Sequence, residues 1–305
     1  VYLLALEHPD DFSLLTPIED EPVELRQPDG STWSPRNFDG VSHGRVSLLD
    51  ALARSYNQAT VRLGLQVGLQ PLVSRIGQLG VAADIQPLPS VLLGAAELTP
   101  LEVTEVYQSI ANSGFSVPLR ALVAVQSPDG DELVRYPMRL MPQPHRDAIG
   151  VLNYALTRVV AEGTAQGLPA LLSQNVTVAG KTGTTNDRRD SWFVGYTRNR
   201  VATVWVGLDD FSPAGVTGSN AAMRIWGGLF AGLPLEPVDL AVPEGAYYLW
   251  VDPESGRLSA EHCEGARQLP FVEGSEPRKW TACAEKSQDR DKESIWKKIF
   301  GRDKQ

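Results

Sequence analysis

Two short runs carry side chains suited to acyl chemistry on a peptide. Lys181-Thr182-Gly183-Thr184-Thr185 follows an apolar strand pattern and precedes a polar turn. A lysine on a strand edge offers positive charge to a substrate carboxylate, and the hydroxyls of Thr182 and Thr184 can bond the same group. Gly183 lets a substrate backbone lie close to the strand, and a backbone N–H here can face an oxyanion. The letters alone are weak, since such a triplet arises by chance in roughly one chain in fifteen of this length. Its placement at the end of a strand carries more. Ser55-Tyr56-Asn57 closes a helical pattern. One reading is a helix C-terminal turn that uses Asn. The other is a serine that relays a proton beside an Asn amide that fixes a peptide carbonyl. The triplet is expected about once per chain by chance, but the order, helices first and strand second, favours the chemical reading.

These groups need elements to hold them. Residues 46–54 place apolar side chains at helical spacing and deliver Ser55. Thr99-Pro100-Leu101-Glu102 is a capping box with Pro at the first helical position. Val103, Val106, Tyr107, Ile110 and Ala111 follow on one face, and Asn112-Ser113-Gly114 stops the helix. Ile149, Leu152, Leu156 and Val159 mark a third helix ended at Gly163. The period then changes. Residues 175–184, 191–197 and 201–208 are β-rich runs separated by polar turns, which suggests an antiparallel meander. Residues 221–233 return to helix, packed across that sheet. The pattern predicts an α+β layout. Beyond Pro234 come a Pro-rich linker, a hairpin candidate at Asp252-Pro253-Glu254-Ser255-Gly256, two cysteines and a charged tail.

Composition narrows the function. Across 305 residues, 28 Lys+Arg against 37 Asp+Glu give a net charge of −9, which argues against broad nucleic-acid binding. A hydrophobic content of 42% is enough for a large core. No apolar run approaches the roughly 18 to 20 residues of a membrane span. With four His, two Cys and no CxxC, neither a structural metal site nor a cofactor is expected. Cys263 and Cys283 are either two unrelated thiols or one disulfide. A bridge over about 20 residues would contribute on the order of 3 kcal/mol in the loop-entropy model and would imply an oxidising compartment.

The motifs in order resemble a known family. Ser55-x-Asn57 followed by Lys181-Thr182-Gly183-Thr184 is similar to the second and third motifs of the penicillin-interacting serine transferases. The wider text is more specific. Leu98-Thr99-Pro100-Leu101-Glu102-Val103, Ala111-Asn112-Ser113-Gly114, Glu162-Gly163-Thr164-Ala165 and Ala179-Gly180-Lys181 through Asp190-Ser191-Trp192-Phe193-Val194-Gly195-Tyr196 resemble the transpeptidase domain of class A penicillin-binding proteins. Trp33-Ser34-Pro35-Arg36-Asn37, residues 46–69 and the paired cysteines look most like the 1B type of Gram-negative bacteria. The likeness covers residues 1–233, with 234–305 as a linker and a small disulfide-containing extension.

The resemblance implies the α+β fold shared with serine β-lactamases: an antiparallel sheet flanked by helices, plus a helical subdomain. It implies a peptidoglycan D,D-transpeptidase in which a serine attacks the D-Ala–D-Ala carbonyl and an amine resolves the acyl-enzyme. Ser55 would then shuttle a proton, Asn57 hold the substrate amide and Lys181 supply charge near Ser55. Thr182, Gly183 and Thr184 would line the terminal carboxylate, with the Thr184 N–H as half of the oxyanion hole. The implied setting is the periplasmic face of the inner membrane, with a glycosyltransferase domain upstream. The implied partners are stem peptides, β-lactams, an outer-membrane lipoprotein activator and cell-division proteins.

One departure is large. The family's first motif, SxxK, should precede the other two, and the only match here is Ser294-Ile295-Trp296-Lys297, after them and in the charged tail. The expectation is that the nucleophile lies upstream of Val1, because Val1-Tyr2-Leu3-Leu4-Ala5-Leu6 resembles later turns of that motif's helix, and that this piece alone is catalytically dead. A β-lactamase is a rival reading, but E-x-x-L-N, which would position the deacylating carboxylate in class A enzymes, is missing. A non-catalytic scaffold is another, against which the retained Ser55, Asn57 and Lys181 count. Gly40-Val41-Ser42-His43-Gly44 matches a hydrolase elbow but lacks the apolar strand that an elbow needs, so it reads as a turn. Asn175-Val176-Thr177 reads as a chance glycosylation pattern within a strand, Arg188-Arg189 as a solvated turn in preference to a border of the substrate groove, and Trp192 as core in preference to a substrate platform. Ile295, Trp296, Ile299 and Phe300, with Lys297 and Lys298, read as a frayed terminus in preference to an amphipathic turn that touches a membrane surface or a partner.

Overall fold

A computed structural model describes residues 1–27 and 30–285; the Ser294–Lys297 match and the apolar tail positions lie outside them. Among the described residues the α-helices run in chain order as α1 Tyr2–Leu6, α2 Leu48–Arg54, α3 Asn57–Val67, α4 Leu69–Gln78, α5 Pro100–Ala111, α6 Arg146–Ala161 and α7 Met223–Phe230. The strands are β1 Pro17–Asp20, β2 Leu25–Arg26, β3 Thr32–Trp33, β4 Gly44–Ser47, β5 Phe115–Ser116, β6 Ala124–Gln126, β7 Glu132–Arg135, β8 Met141–Pro142, β9 Ala179–Thr184, β10 Ser191–Tyr196, β11 Val201–Val206, β12 Ala246–Asp252, β13 Arg257–Leu258 and β14 Arg267–Val272.

The helix that delivers Ser55 begins two residues later than its apolar spacing predicts. Ser47 Oγ accepts from the Asp50 amide at 3.0 Å and caps α2 there. Gly44–Ser47 is instead strand β4, antiparallel to β1 with Val46 opposite Ile18. The α5 capping box forms in both directions, with Glu102 N donating to Thr99 Oγ1 and Thr99 N to Glu102 Oε2. Left-handed Ser113 and Gly114 then turn the chain. Helix α6 is the spine of the core: Ile149, Leu152, Leu156 and Val159 are all buried, as their spacing predicts.

The predicted meander is an antiparallel sheet of order β11-β10-β9. It starts at Ala179, so Asn175 lies on exposed coil before it and not within a strand. A π-turn at Gly218–Ala222 leads into α7, whose Trp226 is fully buried edge-on to Phe193 of β10. Helix α7 thus crosses the sheet, shorter than predicted at both ends: the π-turn takes residues 221–222 and residues 231–233 turn away. Beyond Pro234, strands β12 and β14 form a six-pair ladder that the sequence pattern does not announce, with β13 on the outer side of β12. Val251, Leu269 and Phe271 join the same buried cluster as α6. Cys263 and Cys283 are joined as a disulfide. A second cluster of Leu4, Val23, Val61, Leu72, Val91 and Leu92 fills the space beneath α3 and α4.

Strands β6 and β7 pair only with each other. Val125, Leu133, Val134, Tyr136 and Met138 of this hairpin region are exposed. Among the described residues, no helix is long and apolar enough to cross a membrane.

Candidate active site

Helix α2 ends when Ser55 enters the left-handed region, φ 60 and ψ 46. The amides of Ser55 and Tyr56 fold back onto the Leu52 and Ala51 carbonyls at 3.2 and 3.0 Å, and α3 begins at Asn57. The Ser55 hydroxyl is thereby turned towards β9, where Lys181 Nζ donates to its Oγ at 2.8 Å and to the Thr182 carbonyl at 2.9 Å. Lys181 is half-buried as a residue, but its ammonium is enclosed, and desolvation lowers it to about 8. At neutral pH it remains a cation, within reach of losing its proton to a nearby base.

Strand β9 is the edge of its sheet. The Thr185 amide donates to Asp190 O on the β10 side at 3.2 Å. Antiparallel alternation therefore points the Thr184 and Thr182 backbone groups away from β10, towards the edge of the sheet that no strand among the described residues pairs. The Thr184 hydroxyl accepts from the Gly218 amide at 3.0 Å, which leaves its own proton to donate. The Thr182 hydroxyl shares a 2.6 Å hydrogen bond with that of Thr164. Gly183 has an internal reason to be glycine besides substrate approach: a methyl there would lie 3.1 Å from Trp192 Cβ, its partner across the ladder. Trp192 is half-buried and tilted against Trp205 with centroids 6.2 Å apart.

The Glu162-Gly163-Thr164 turn joins the two halves of the site. Thr164 N donates to Ala53 O at 3.1 Å, near the end of α2, while the Thr164 hydroxyl holds Thr182 on β9. A methyl on Gly163 would sit 2.1 Å from Ala53 O, so only glycine lets the turn close. Glu162 is gripped by Arg158 at 2.7 Å, with Arg267 of β14 at 3.6 Å. The Arg158 hydrogen bond holds its carboxyl below the usual carboxylate range.

Asn57 Nδ2 donates to the Arg36 carbonyl at 2.7 Å, which fixes the amide against the loop before β4. Beyond β9, Asp187 and Arg188 both have left-handed φ, 59° and 55°. Arg188 lies over the Phe38 ring at 5.7 Å, so this turn meets the loop that carries Asn57's partner rather than only solvent.

Sequence reading missed a buried group behind Asn57. Asp20, fully buried, accepts from Asn37 Nδ2 at 2.6 Å, from His43 N and Nδ1 at 2.9 Å each, and from the Ala59 amide at 3.0 Å. A lone aspartate at a strand end carries no local signal of this. The Gly40-Val41-Ser42-His43-Gly44 run is part of the same assembly: Ser42 donates to Gln58 Oε1 at 2.7 Å. Its serine is engaged there, with no apolar strand leading into it.

Comparison with known proteins gives a consistent result. The family model described as the penicillin binding protein transpeptidase domain matches residues 16–225. Penicillin-binding protein 1B of Vibrio cholerae is 40% identical over 281 residues, covering 92% of this chain and 36% of that protein. Penicillin-binding protein 1B of Escherichia coli is 38% identical over 281 residues, covering 91% and 33%. The chain thus spans about a third of the length of these relatives. In fold it is similar to the crystal structure of penicillin-binding protein 1A from Haemophilus influenzae, with TM-score 0.81 at 23% identity over 92% of this chain and 47% of that one. It also resembles penicillin-binding protein A of M. tuberculosis, solved as a penicillin G acyl-enzyme complex, with TM-score 0.59 at 21% identity over 76% of this chain and 60% of that one.

Proposed function

The chain belongs to the penicillin-binding protein transpeptidase family, and from that premise we propose that it carries the substrate-binding and proton-transfer groups of a peptidoglycan D,D-transpeptidase. The observation that carries the reading is the Lys181–Ser55 contact at the open edge of β9. A cation and a hydroxyl meet there beside outward-facing threonine backbone. That is the set needed to bind a peptide C-terminus and move a proton at its scissile amide.

In the reaction, a serine hydroxyl attacks the D-Ala–D-Ala carbonyl. Its proton passes through Ser55 to the departing D-Ala amine, and Lys181 stabilises the charge that develops on the way. The Thr184 N–H faces the tetrahedral oxyanion. The hydroxyls of Thr182 and Thr184 take the terminal carboxylate, and Asn57 holds the substrate amide. An acceptor amine then attacks the acyl-serine and completes the cross-link. Among these 305 residues no Ser-x-x-Lys precedes Ser55, so the attacking serine and its lysine are assigned to the full-length protein outside them.

Residues 1–233 are read as the transpeptidase unit and 234–305 as its C-terminal extension. The relatives are class A proteins, and the same reading extends to a bifunctional synthase with an upstream glycosyltransferase. It would be anchored in the inner membrane, face the periplasm, bind β-lactams and respond to a lipoprotein activator and cell-division partners.

Intact mass after penicillin treatment tests this, on the full-length protein with the 305-residue chain as control. One lasting adduct on the long form, mapped outside these residues, is expected. Rapid turnover of the adduct would indicate a β-lactamase, no adduct would indicate a scaffold, and an adduct on the short chain would overturn the assignment of the nucleophile.

A further inference from the structure

The first turn of α3 holds Asn57, yet its N-cap residue Tyr56 makes no side-chain cap. A helix start leaves its first amides without partners. Here they are met from a distance: the Gln58 amide donates to Asn37 Oδ1 at 3.2 Å, and the Ala59 amide to the Asp20 carboxylate at 3.0 Å. A carboxylate at a helix N-terminus also suits the macrodipole. His43 completes this cap. Its Nδ1 is 2.9 Å from Asp20, its Nε2 is 3.2 Å from Asp39, and its ring stacks on Tyr56 with centroids 4.0 Å apart and planes 20° from parallel.

We propose that His43 is a positioning residue for the acylation step: it ties the buried Asp20 to Tyr56 and so fixes the Ser55-Tyr56-Asn57 loop in its working conformation. Three further bonds hold the same loop. The Thr60 hydroxyl donates to Tyr56 O at 2.6 Å and shares a 2.6 Å hydrogen bond with the Tyr2 hydroxyl, while Asn57 is tied to Arg36 O. None of these hydrogen bonds reaches the Tyr56 ring, which packs in part against the main core and stacks flat on His43. The loop needs such support because Ser55 sits in a left-handed conformation that costs a non-glycine residue energy. Tyr56 lies between the proton shuttle and the amide holder, so a ring that moves carries both groups out of register with Lys181 and β9.

The inference rests on the transpeptidase reading, and its test has one arm that does not. In the full-length protein, a fluorescent penicillin resolves the pre-covalent dissociation constant from the acylation rate constant. In His43→Ala the rate constant is expected to fall about tenfold or more, a larger factor than the weakening of pre-covalent binding through the displaced Asn57. His43→Asn puts a donor nitrogen where Nδ1 stands and a flat amide on Tyr56, and is expected to regain most of the rate. The independent arm is amide exchange on the full-length protein without any β-lactam, where His43→Ala is expected to speed exchange at residues 56–59 selectively. An unchanged rate constant in His43→Ala overturns the proposal, as does a parallel loss of binding and rate that Asn does not rescue. A wild-type protein that takes no label overturns the transpeptidase reading instead. Unchanged exchange at residues 56–59 then overturns the role of His43 separately.

Discussion

Lys181 Nζ donates to Ser55 Oγ at 2.8 Å across 126 residues of chain. The contact brings the left-handed end of α2 to the edge strand β9, so the rate of acylation should follow the charge on this lysine. Its ammonium is lowered to about 8 by burial. The second-order acylation constant of the full-length protein is expected to fall as pH rises past about 8, where the cation is lost. Lys181→Arg should move that limb to higher pH. Lys181→Ala and Asn57→Ala should slow acylation about 100-fold or more at pH 7. A pH profile of β-lactam labelling checks all three.

The same burial sets a pH dependence of stability. The folded value of about 8 lies below the ordinary 10.5. Between the two, the unfolded chain holds a proton that the folded chain has released, so this group makes stability rise with pH across that window. Below about 8 both states are charged and the cost of burying the cation is complete. Lys181→Met is therefore expected to be more stable than wild type at pH 7, by up to about 3 kcal/mol. The advantage should shrink towards zero near pH 10.5. Urea unfolding of the two chains at pH 7 and pH 10 measures the difference.

Gly163→Ala tests the turn that joins α2 to β9. The new methyl would meet Ala53 O at 2.1 Å and Val159 Cα at 2.9 Å, both backbone atoms with little room to yield. A stability loss of about 2 kcal/mol or more is expected, with slower acylation because the end of α2 is pushed from Lys181. Thr164→Val, which frees only the Thr182 hydroxyl, should leave the thermal midpoint nearly unchanged.

Replacing Cys263 and Cys283 by serine opens a loop of sequence separation 20. The loop-entropy model puts the cost at about 3 kcal/mol. The effect should concentrate in residues 246–285, with faster amide exchange there, and leave the Ser55–Lys181 pair in place. Hydrogen-exchange mass spectrometry separates the two regions.

What was legible in the sequence was local. The Thr99 capping box, the periodic face of α6 and the β9–β11 meander announce themselves because each is written in neighbouring residues. Ser55 and Lys181 could be paired in advance only through a family likeness, since nothing in either triplet encodes a contact 126 residues away. Asp20 shows the limit more sharply. Its partners are Asn37 and His43 on the loop before β4 and Ala59 on α3, which share no period. The β12–β14 ladder was hidden for another reason: Pro243, Gly245 and Pro270 punctuate its text like a linker, and burial against α6 decides the outcome.

The β6–β7 hairpin turns at Ser127–Asp131, where the Ser127 amide donates to Asp131 O at 2.8 Å and Gly130 adopts φ 91. Its ladder joins no other sheet, which places it at the low end of the molecule's range of local stabilities. Foreign sequence is tolerated best at such loop tips. An epitope or a small reporter spliced between Asp129 and Gly130 would ride on this peripheral arm without a load on α2 or β9. The hairpin is thus a ready port for following the protein in living cells.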